Sequence, residues 1–477
     1  MKTKPFGHQA EEWERTSSIP AWCYFWDMGT GKTKMAVDMA GALYESKEID
    51  GVLIVAPNSV HDQWVDEEIP LHLPGQYLER SHFLAFRSNK AATKWQARAA
   101  QELLAHDGLA WLAISYDGFM TDAGKKLVWK FLKKRRTFYV VDESHFIKSP
   151  NAERTKSIVA SGKYAHWKRA LSGTPVSESP FDAYAQVKFV DSEFWKREDG
   201  IADFLNFKHR FGQFRTIRPA GAFHDVEIVT GYQNLDRLNG LMTKISSTVR
   251  KSEVMDLPPK TYIQRHFDIT AEQRRVYEEL KDEFESALDG GEMVTTAHVL
   301  TRVTRFQQLL SGFLPADSGA VHEFKPNHRL KLLEEVLEGV SSQTIIWAVF
   351  NHDVDAIMAL LGERAVRYDG KVDLDERREN RSAFKGGLKQ FFVSKTSAGG
   401  TGQNLTNADV MIYYNTTRSL VQRLQSEDRF YRAGQTKPTT IIDITARGTL
   451  ESGIVTALRE KLDVEAQVTG KQVRGWL

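Results

Sequence analysis

At roughly 150 residues per folding unit, the 477 residues correspond to about three units, or to two large ones carrying insertions. Hydrophobic residues make up 41% and charged residues 26%, ordinary globular usage that excludes disordered and fibrous architectures. The one cysteine, Cys23, excludes an intramolecular disulfide and a cysteine-built metal site; 64 Lys and Arg against 62 Asp and Glu leave a net charge of +2, so any polyanion surface must arise by segregating charge.

Met1–Glu14 is polar, and the apolar runs Ile19–Trp26 and Thr344–Phe350 are too short to span a bilayer, so a soluble cytoplasmic chain with no membrane partner is expected. Cys23, beside Trp22, Tyr24 and Phe25, is predicted to be a buried thiol. Short β-rich runs then alternate with helical patterns, the signature of parallel α/β units. Strands are predicted at Trp22–Trp26, Val52–Ala56, Leu109–Ser115, Thr137–Val141 and Arg169–Ser172. From Ser192 to Val249 the pattern reads as helical. There Phe204, Phe207, Phe211 and Phe214 recur at spacings of three, four and three, a ring stripe on one helix face. That stripe reads as core, or, with Lys208, His209, Arg210, Arg215 and Arg218 between, as a phosphate-facing surface. Leu257-Pro258-Pro259-Lys260 breaks the chain. Beyond it come a second helical stretch from Ala271 and strands predicted at Thr344–Val349, Gln390–Ser394, Val410–Tyr414 and Thr440–Ile444. The predicted division is 1–258, with a helical insertion at about 192–249; 259–460, with one at about 271–315; and a short tail, 461–477.

In doubly wound sheets, chemistry gathers beyond the carboxyl ends of strands. After the first strand, Gly29-Thr30-Gly31-Lys32-Thr33 opens a helical pattern. Small residues there let backbone N–H groups wrap a phosphate, Lys32 reaches the terminal phosphates and Thr33 supplies a metal-ligating hydroxyl. Read alone, the segment is also a glycine-rich turn beside a surface lysine. The strand Phe138–Val141 runs into Asp142-Glu143-Ser144-His145. Paired with Lys32, Asp142 is placed to hold Mg²⁺ and Glu143 to activate water; alone, the two acids read as a helix cap. Ser172-Gly173-Thr174-Pro175 and Ser397–Asn404 follow later strands, and Gln425, Arg429 and Arg432 share one helix face. Lys125–Arg136 holds seven basic residues and no acid, either a solvated helix face or a phosphate-contacting patch.

As an ordered set, these segments resemble the motifs of superfamily 2 helicases, and more narrowly the Swi/Snf-like family of duplex-DNA translocases. Val52–Pro57 with Gln63-Trp64, Leu257–Lys260, and Gln425–Gln435, which is similar to the family's Q-x-x-D-R-x-x-R-x-G-Q, agree with this. The resemblance runs from Lys4 to Glu451 and implies an α/β fold of two RecA-like parallel-sheet lobes, each with a helical insertion. It implies ATP and Mg²⁺ as cofactors, with nucleotide contacts at Gln9, Met28, Gly29, Thr30, Gly31, Lys32, Thr33 and Gln425. Thr33 and Asp142 would hold the metal, and Glu143, Lys32 and the arginine fingers Arg429 and Arg432 would carry catalysis. His145, Ser172 and Thr174 would couple hydrolysis to movement, and Ser397, Gly400, Thr401, Asn404 and Arg418 would touch the nucleic acid. Departures are Trp26 ahead of the glycine loop, Ser144 in the acidic box, Arg418-Ser419-Leu420 for Trp-Asn-Pro, and Tyr431 and Ala433 for His and Ile.

The expectation is an ATP-hydrolysing motor on double-stranded DNA, branched or forked forms included, in a bacterial or viral setting. The alternatives are a strand-unwinding DNA or RNA helicase and a non-hydrolysing, ATP-dependent nucleic-acid binding factor. No protein partner is deducible.

Overall fold

The computed structural model describes residues 1–58, 60–218, 225–289, 296–316, 318–396 and 404–470. Its first lobe contains β1 (Ala21–Tyr24), β2 (Gly51–Ala56), β3 (Ser81–Phe86), β4 (Leu109–Ser115), β5 (Thr137–Asp142), β6 (Trp167–Leu171), a separate hairpin of β7 (Gly212–Ile217) and β8 (Val226–Tyr232), and β9 (Ser246–Ser247). The sheet order is β3-β4-β2-β5-β6-β1-β9, every pairing parallel. Successive strand residues point to opposite faces, so one chain stretch feeds two cores. Cys23, Leu53, Val55, Tyr139 and Val141 fill one, while Trp22, Val52, Ile54, Phe138 and Val140 fill the other.

The second lobe contains β10 (Lys260–Phe267), a hairpin of β11 (Phe313–Pro315) and β12 (Val321–Glu323), β13 (Thr344–Ala348), β14 (Ala365–Tyr368), β15 (Phe391–Lys395), β16 (Val410–Tyr413) and β17 (Thr439–Ala446). Its order is β10-β17-β16-β13-β15-β14, again parallel throughout. Ile346, Ala348, Val393 and Ile412 pack on one face and Ile345, Trp347, Phe392 and Met411 on the other. The architecture is thus α/β, with two RecA-like parallel-sheet lobes.

All the predicted strands form, Leu109–Ser115 with its predicted bounds and the others with shifted ends. Of the strands that the sequence reading lacked, β3, β10 and β14 lie at sheet edges, where only part of each strand is buried and no continuous apolar run develops. The expected helical insertion at 192–249 needs correction. Helices Phe194–Asp199, Phe204–Phe211 and Leu235–Met242 are interrupted by β7 and β8. Gly212 ends the helix, and Phe214 lies on β7 beside a bulge, yet its ring still stacks on Phe181 with centroids 6.5 Å apart. The phenylalanines are core, as the plainer reading had it. In the second lobe helices Ala271–Asp289 and Thr296–Leu310 occupy the expected insertion.

Residues 461–469, expected in a tail, instead continue the 20-residue helix Leu450–Thr469. It starts on the second lobe, where Glu451 Oε1 accepts from Arg329 Nη2 at 2.5 Å. It ends on the first, where Val468 joins the core and its carbonyl accepts from Asn239 Nδ2 at 2.9 Å. No helix among the described residues is long and apolar enough to cross a membrane.

Candidate active site

β1 delivers the chain to a loop closed by helix Lys32–Glu45. Gly29 and Gly31 have φ of +78° and +88°, a region that only glycine enters without strain. The loop is held from behind by helix Gly7–Thr16. The buried Gln9 amide accepts from Phe6 N at 3.0 Å and donates to the Thr30 carbonyl at 3.1 Å, and a Cβ at Gly31 would collide with its Nε2. His8 Nε2 lies 2.9 Å from the same carbonyl. In this structure Gln9 therefore shapes the loop. Trp26 is fully buried and donates its indole N–H to Ser247 Oγ at 2.8 Å, so this departure from the family pattern is taken up in the core. Lys32 Nζ donates to the carbonyls of Trp26 at 2.8 Å and Asp27 at 3.1 Å. Burial pushes its ammonium below the usual lysine range against the pull of Glu143, Asp142, Asp428 and Asp27.

β5 ends in Asp142, whose Oδ2 accepts from Trp64 Nε1 and whose Oδ1 accepts from Glu143 N, both at 2.9 Å. Glu143 turns the chain with φ +50°, a left-handed conformation that costs a non-glycine residue about 1 kcal/mol or more. Tyr116 Oη donates to the Asp142 carbonyl at 2.6 Å and steadies that turn. Glu143 Oε2 then lies 3.3 Å from His145 Nδ1, which is itself 3.3 Å from Ser172 Oγ; that hydroxyl accepts from Thr174 N at 3.1 Å. Burial and the neighbouring Glu143 push the Asp142 carboxyl up. Burial also opposes ionisation of Glu143, but the bond to and charge of His145, together with Lys32 and a hydrogen bond from Gln425, hold it below its ordinary range. Two adjacent carboxyls are thus driven apart, the arrangement that gives two acids different tasks. Gly173 passes so close to the glycine loop that a Cβ there would lie 2.8 Å from Met28 Cγ.

The second lobe reaches this site through helix Leu420–Asp428. Arg423 Nη2 donates to Asp443 Oδ2 at 2.9 Å and its Nε to Glu427 Oε1 at 2.8 Å, with the guanidinium 3.6 Å from the Tyr413 ring centroid. Glu427 Oε2 also accepts from Lys260 Nζ at 3.1 Å and Tyr262 Oη at 2.7 Å. These charges are buried but mutually satisfied, and they clamp the helix to β10, β16 and β17. The clamp sets Asp428 beside the glycine loop, and half-buried Gln425 helps to hold the Glu143 carboxyl low. Asp428 pairs with Lys251, whose Nζ also donates to the Tyr431 carbonyl at 2.8 Å and whose N–H donates to Asp27 Oδ2 at 3.0 Å.

The two arginines are placed differently from expectation. Arg429 is 6% exposed, and its guanidinium lies 5.4 Å from the Trp347 ring centroid within the second lobe. Burial pushes it down to about 10. Arg432 is half-buried, its charge acting on Glu68 of the first lobe and on Lys385 of the second. Among the described residues, no hydrogen bond or ion pair joins either guanidinium to the glycine loop. Thr33 is half-buried at the helix start. Asn404 is exposed and accepts from Thr406 N at 3.2 Å, while Arg418 Nη2 lies 3.3 Å from Thr304 Oγ1. Ser397, Gly400 and Thr401 lie outside the described residues. Within the basic run, Arg135 is buried and donates to the Gly108 carbonyl at 3.1 Å and the Leu103 carbonyl at 3.0 Å; Lys126, Lys130, Lys133, Lys134 and Arg136 are exposed.

Sequence reasoning assigned no role to Trp64, Tyr116, Lys251, Asp428 or Gln186. Gln186 takes the Ser144 hydroxyl at 2.7 Å and donates to the Pro175 carbonyl at 2.6 Å, tying the acidic box to the Ser-Gly-Thr-Pro loop. Trp64 and Asp428 stood inside segments quoted for the resemblance; Tyr116 and Gln186 carried no local signal.

Two parallel-sheet lobes that meet at a glycine loop with its lysine and an acid pair beside it define a two-lobed P-loop NTPase architecture. The chain belongs to the SNF2-related domain family, which it matches over residues 24–312, and it matches the helicase conserved C-terminal domain over 328–434. It is 26% identical to the DNA annealing helicase and endonuclease ZRANB3 of Homo sapiens, over 94% of this chain and 38% of that protein. It is 24% identical to the SWI/SNF-related matrix-associated actin-dependent regulator of chromatin subfamily A member 1 of Homo sapiens, over 93% of this chain and 41% of that protein. The chain therefore spans about two fifths of the length of these relatives. A solved Sulfolobus solfataricus SWI2/SNF2 ATPase core in complex with dsDNA matches over 99% of this chain and 94% of that one, at 20% identity and a TM-score of 0.42.

Proposed function

We propose that the chain is an ATP-dependent translocase on duplex DNA, a DNA-dependent ATPase acting in the cytoplasm. The observation that carries this reading is the contact between the lobes at the glycine loop, where Lys251 of the first lobe pairs with Asp428 and donates to the Tyr431 carbonyl of the second at 2.8 Å. Lys32 holds the terminal phosphates, and Glu143 orients and deprotonates the attacking water. The Thr33 hydroxyl and Asp142 carboxylate are hard oxygen donors that suit Mg²⁺, which when bound neutralises phosphate charge. Arg429 and Arg432 reach the terminal phosphate only after side-chain rearrangement, Arg429 by leaving Trp347. The buried His145–Ser172–Thr174 chain links the acids to the loop that abuts the glycine loop through Gly173 and Met28. Asn404, Arg418 and the segment 397–401 contact the backbone of the tracked strand, so binding is weakly sequence-specific and salt-sensitive.

The test is phosphate release with and without duplex DNA. Duplex stimulation that Glu143→Gln lowers by about 10³ supports the reading; no stimulation by any nucleic acid overturns it. Displacement of a triplex third strand, with a forked duplex left paired, separates a translocase from an unwinding helicase.

A further inference from the structure

The seam between the lobes is closed at the glycine loop by Lys251, a residue of neither family motif set described above. It lies in the first lobe's last short helix, Lys251–Val254, just before the Pro258-Pro259 break. Its main chain is fixed to the loop, through N–H donation to Asp27 Oδ2 at 3.0 Å, and its ammonium is fixed to the other lobe, through Asp428 and the Tyr431 carbonyl. Both charged groups stand at the loop itself. A Cβ built on Gly29 would lie 3.7 Å from Asp428 Oδ1, 3.9 Å from Lys251 Cε and 4.0 Å from Lys251 Nζ. The side chains are 11% and 15% exposed, so water screens them weakly.

This geometry sets a charge problem. Asp428 places a carboxylate beside a loop built to hold a polyphosphate, and like charges repel strongly in a partly buried site. Among the described residues Lys251 is the cation that forms an ion pair with that carboxylate, while Lys32 and Arg429 act on it from further away. We infer that Lys251 is a positioning residue for the nucleoside triphosphate: it shields Asp428 and bridges that carboxylate to the terminal phosphate, so that the second lobe senses whether the terminal phosphate is present.

The inference rests on the ATP reading above and is tested by binding of fluorescent ATP and ADP analogues to the full chain. Replacing Lys251 by Met removes the cation paired with Asp428, so ATP affinity falls by about tenfold or more while ADP affinity changes by less than about threefold. Lys251→Arg keeps the bridge and stays within about threefold of wild type for both nucleotides. Adding Asp428→Asn to Lys251→Met removes the repulsion and restores most of the loss. A merely structural latch gives the opposite pattern: equal losses for ATP and ADP, and no recovery in the double variant. Either result overturns the inference. Should Lys251→Met fail to fold, Asp428→Asn alone decides, since it leaves ATP binding unchanged or tighter under this inference and weaker if the ion pair merely holds the lobes together. Wild-type protein that binds neither nucleotide overturns the ATP reading instead, an outcome distinct from these.

Discussion

The indole of Trp64 donates to Asp142 Oδ2 at 2.9 Å, so an aromatic side chain from the π-helical turn Trp64–Glu68 sets the charge state of the carboxylate at the end of β5. Burial and Glu143 already push Asp142 up to about 6. A donor to the ionised form lowers this value, and its removal raises it. Trp64→Phe is therefore expected to move the acid limb of the kcat/KM profile for ATP hydrolysis to higher pH. At neutral pH activity falls by about tenfold, as loss of one hydrogen bond to a charged group implies. An unshifted acid limb counts against this role.

Glu427→Gln strikes the clamp behind the second-lobe helix. Burial favours the neutral acid, but Lys260, Arg423 and Tyr262 hold Glu427 down to about 2. A depressed folded value contributes stability above the unfolded value of about 4.3, lost as pH falls towards the folded one. The substitution is expected to cost about 3–5 kcal/mol at pH 7, because Arg423 stays buried with half its partners. Urea unfolding at pH 7 and pH 3 checks this: the penalty shrinks at the lower pH.

Asp353 runs the other way. It is buried, with Oδ2 accepting from Asn415 Nδ2 at 2.5 Å, and burial pushes its carboxyl up to about 7 against Asn415, Arg329 and Ser311. A raised folded value means that its stabilising contribution is complete below the unfolded value of about 3.9 and is lost as pH rises through 7. Asp353→Asn keeps an acceptor for Asn415 and removes the titration. Melting temperatures of the variant are expected to exceed wild type at pH 8, with the gap closing towards pH 5.

Gly31→Ala is expected to abolish nucleotide binding and to cost about 1–3 kcal/mol of stability, through its φ of +88° and collision with Gln9. Gln9→Ala in the same chain clears the collision and leaves the backbone strain, so thermal shift recovers only in part. Full recovery assigns the whole effect to the side-chain collision.

The glycine loop, the acid pair and the parallel strands were legible because each is written in contiguous residues: an apolar run, then the polar residues that its carboxyl end presents. β3, β10 and β14 were not, since an edge strand covers too little core to need an apolar run. The Phe204–Phe214 stripe misled because helical spacing and a hairpin entered at Gly212 send the same rings into one core. Trp64, Tyr116 and Gln186 reach the acid box from 78, 26 and 42 residues away, contacts that topology makes and local sequence does not encode. Arg429 shows the converse: its motif was legible, but the side chain's packing on Trp347 depends on a strand 82 positions earlier in the chain.

Helix Leu450–Thr469 is a rod of about 30 Å with one end pinned to each sheet-bearing body. An α-helix resists stretching far more than it resists being carried round, so the cleft cannot gape along this axis while both anchors hold. Reorganisation during a catalytic cycle is confined to swivelling about the rod. Spin labels at its two ends are expected to keep their separation through nucleotide addition while labels across the cleft change theirs.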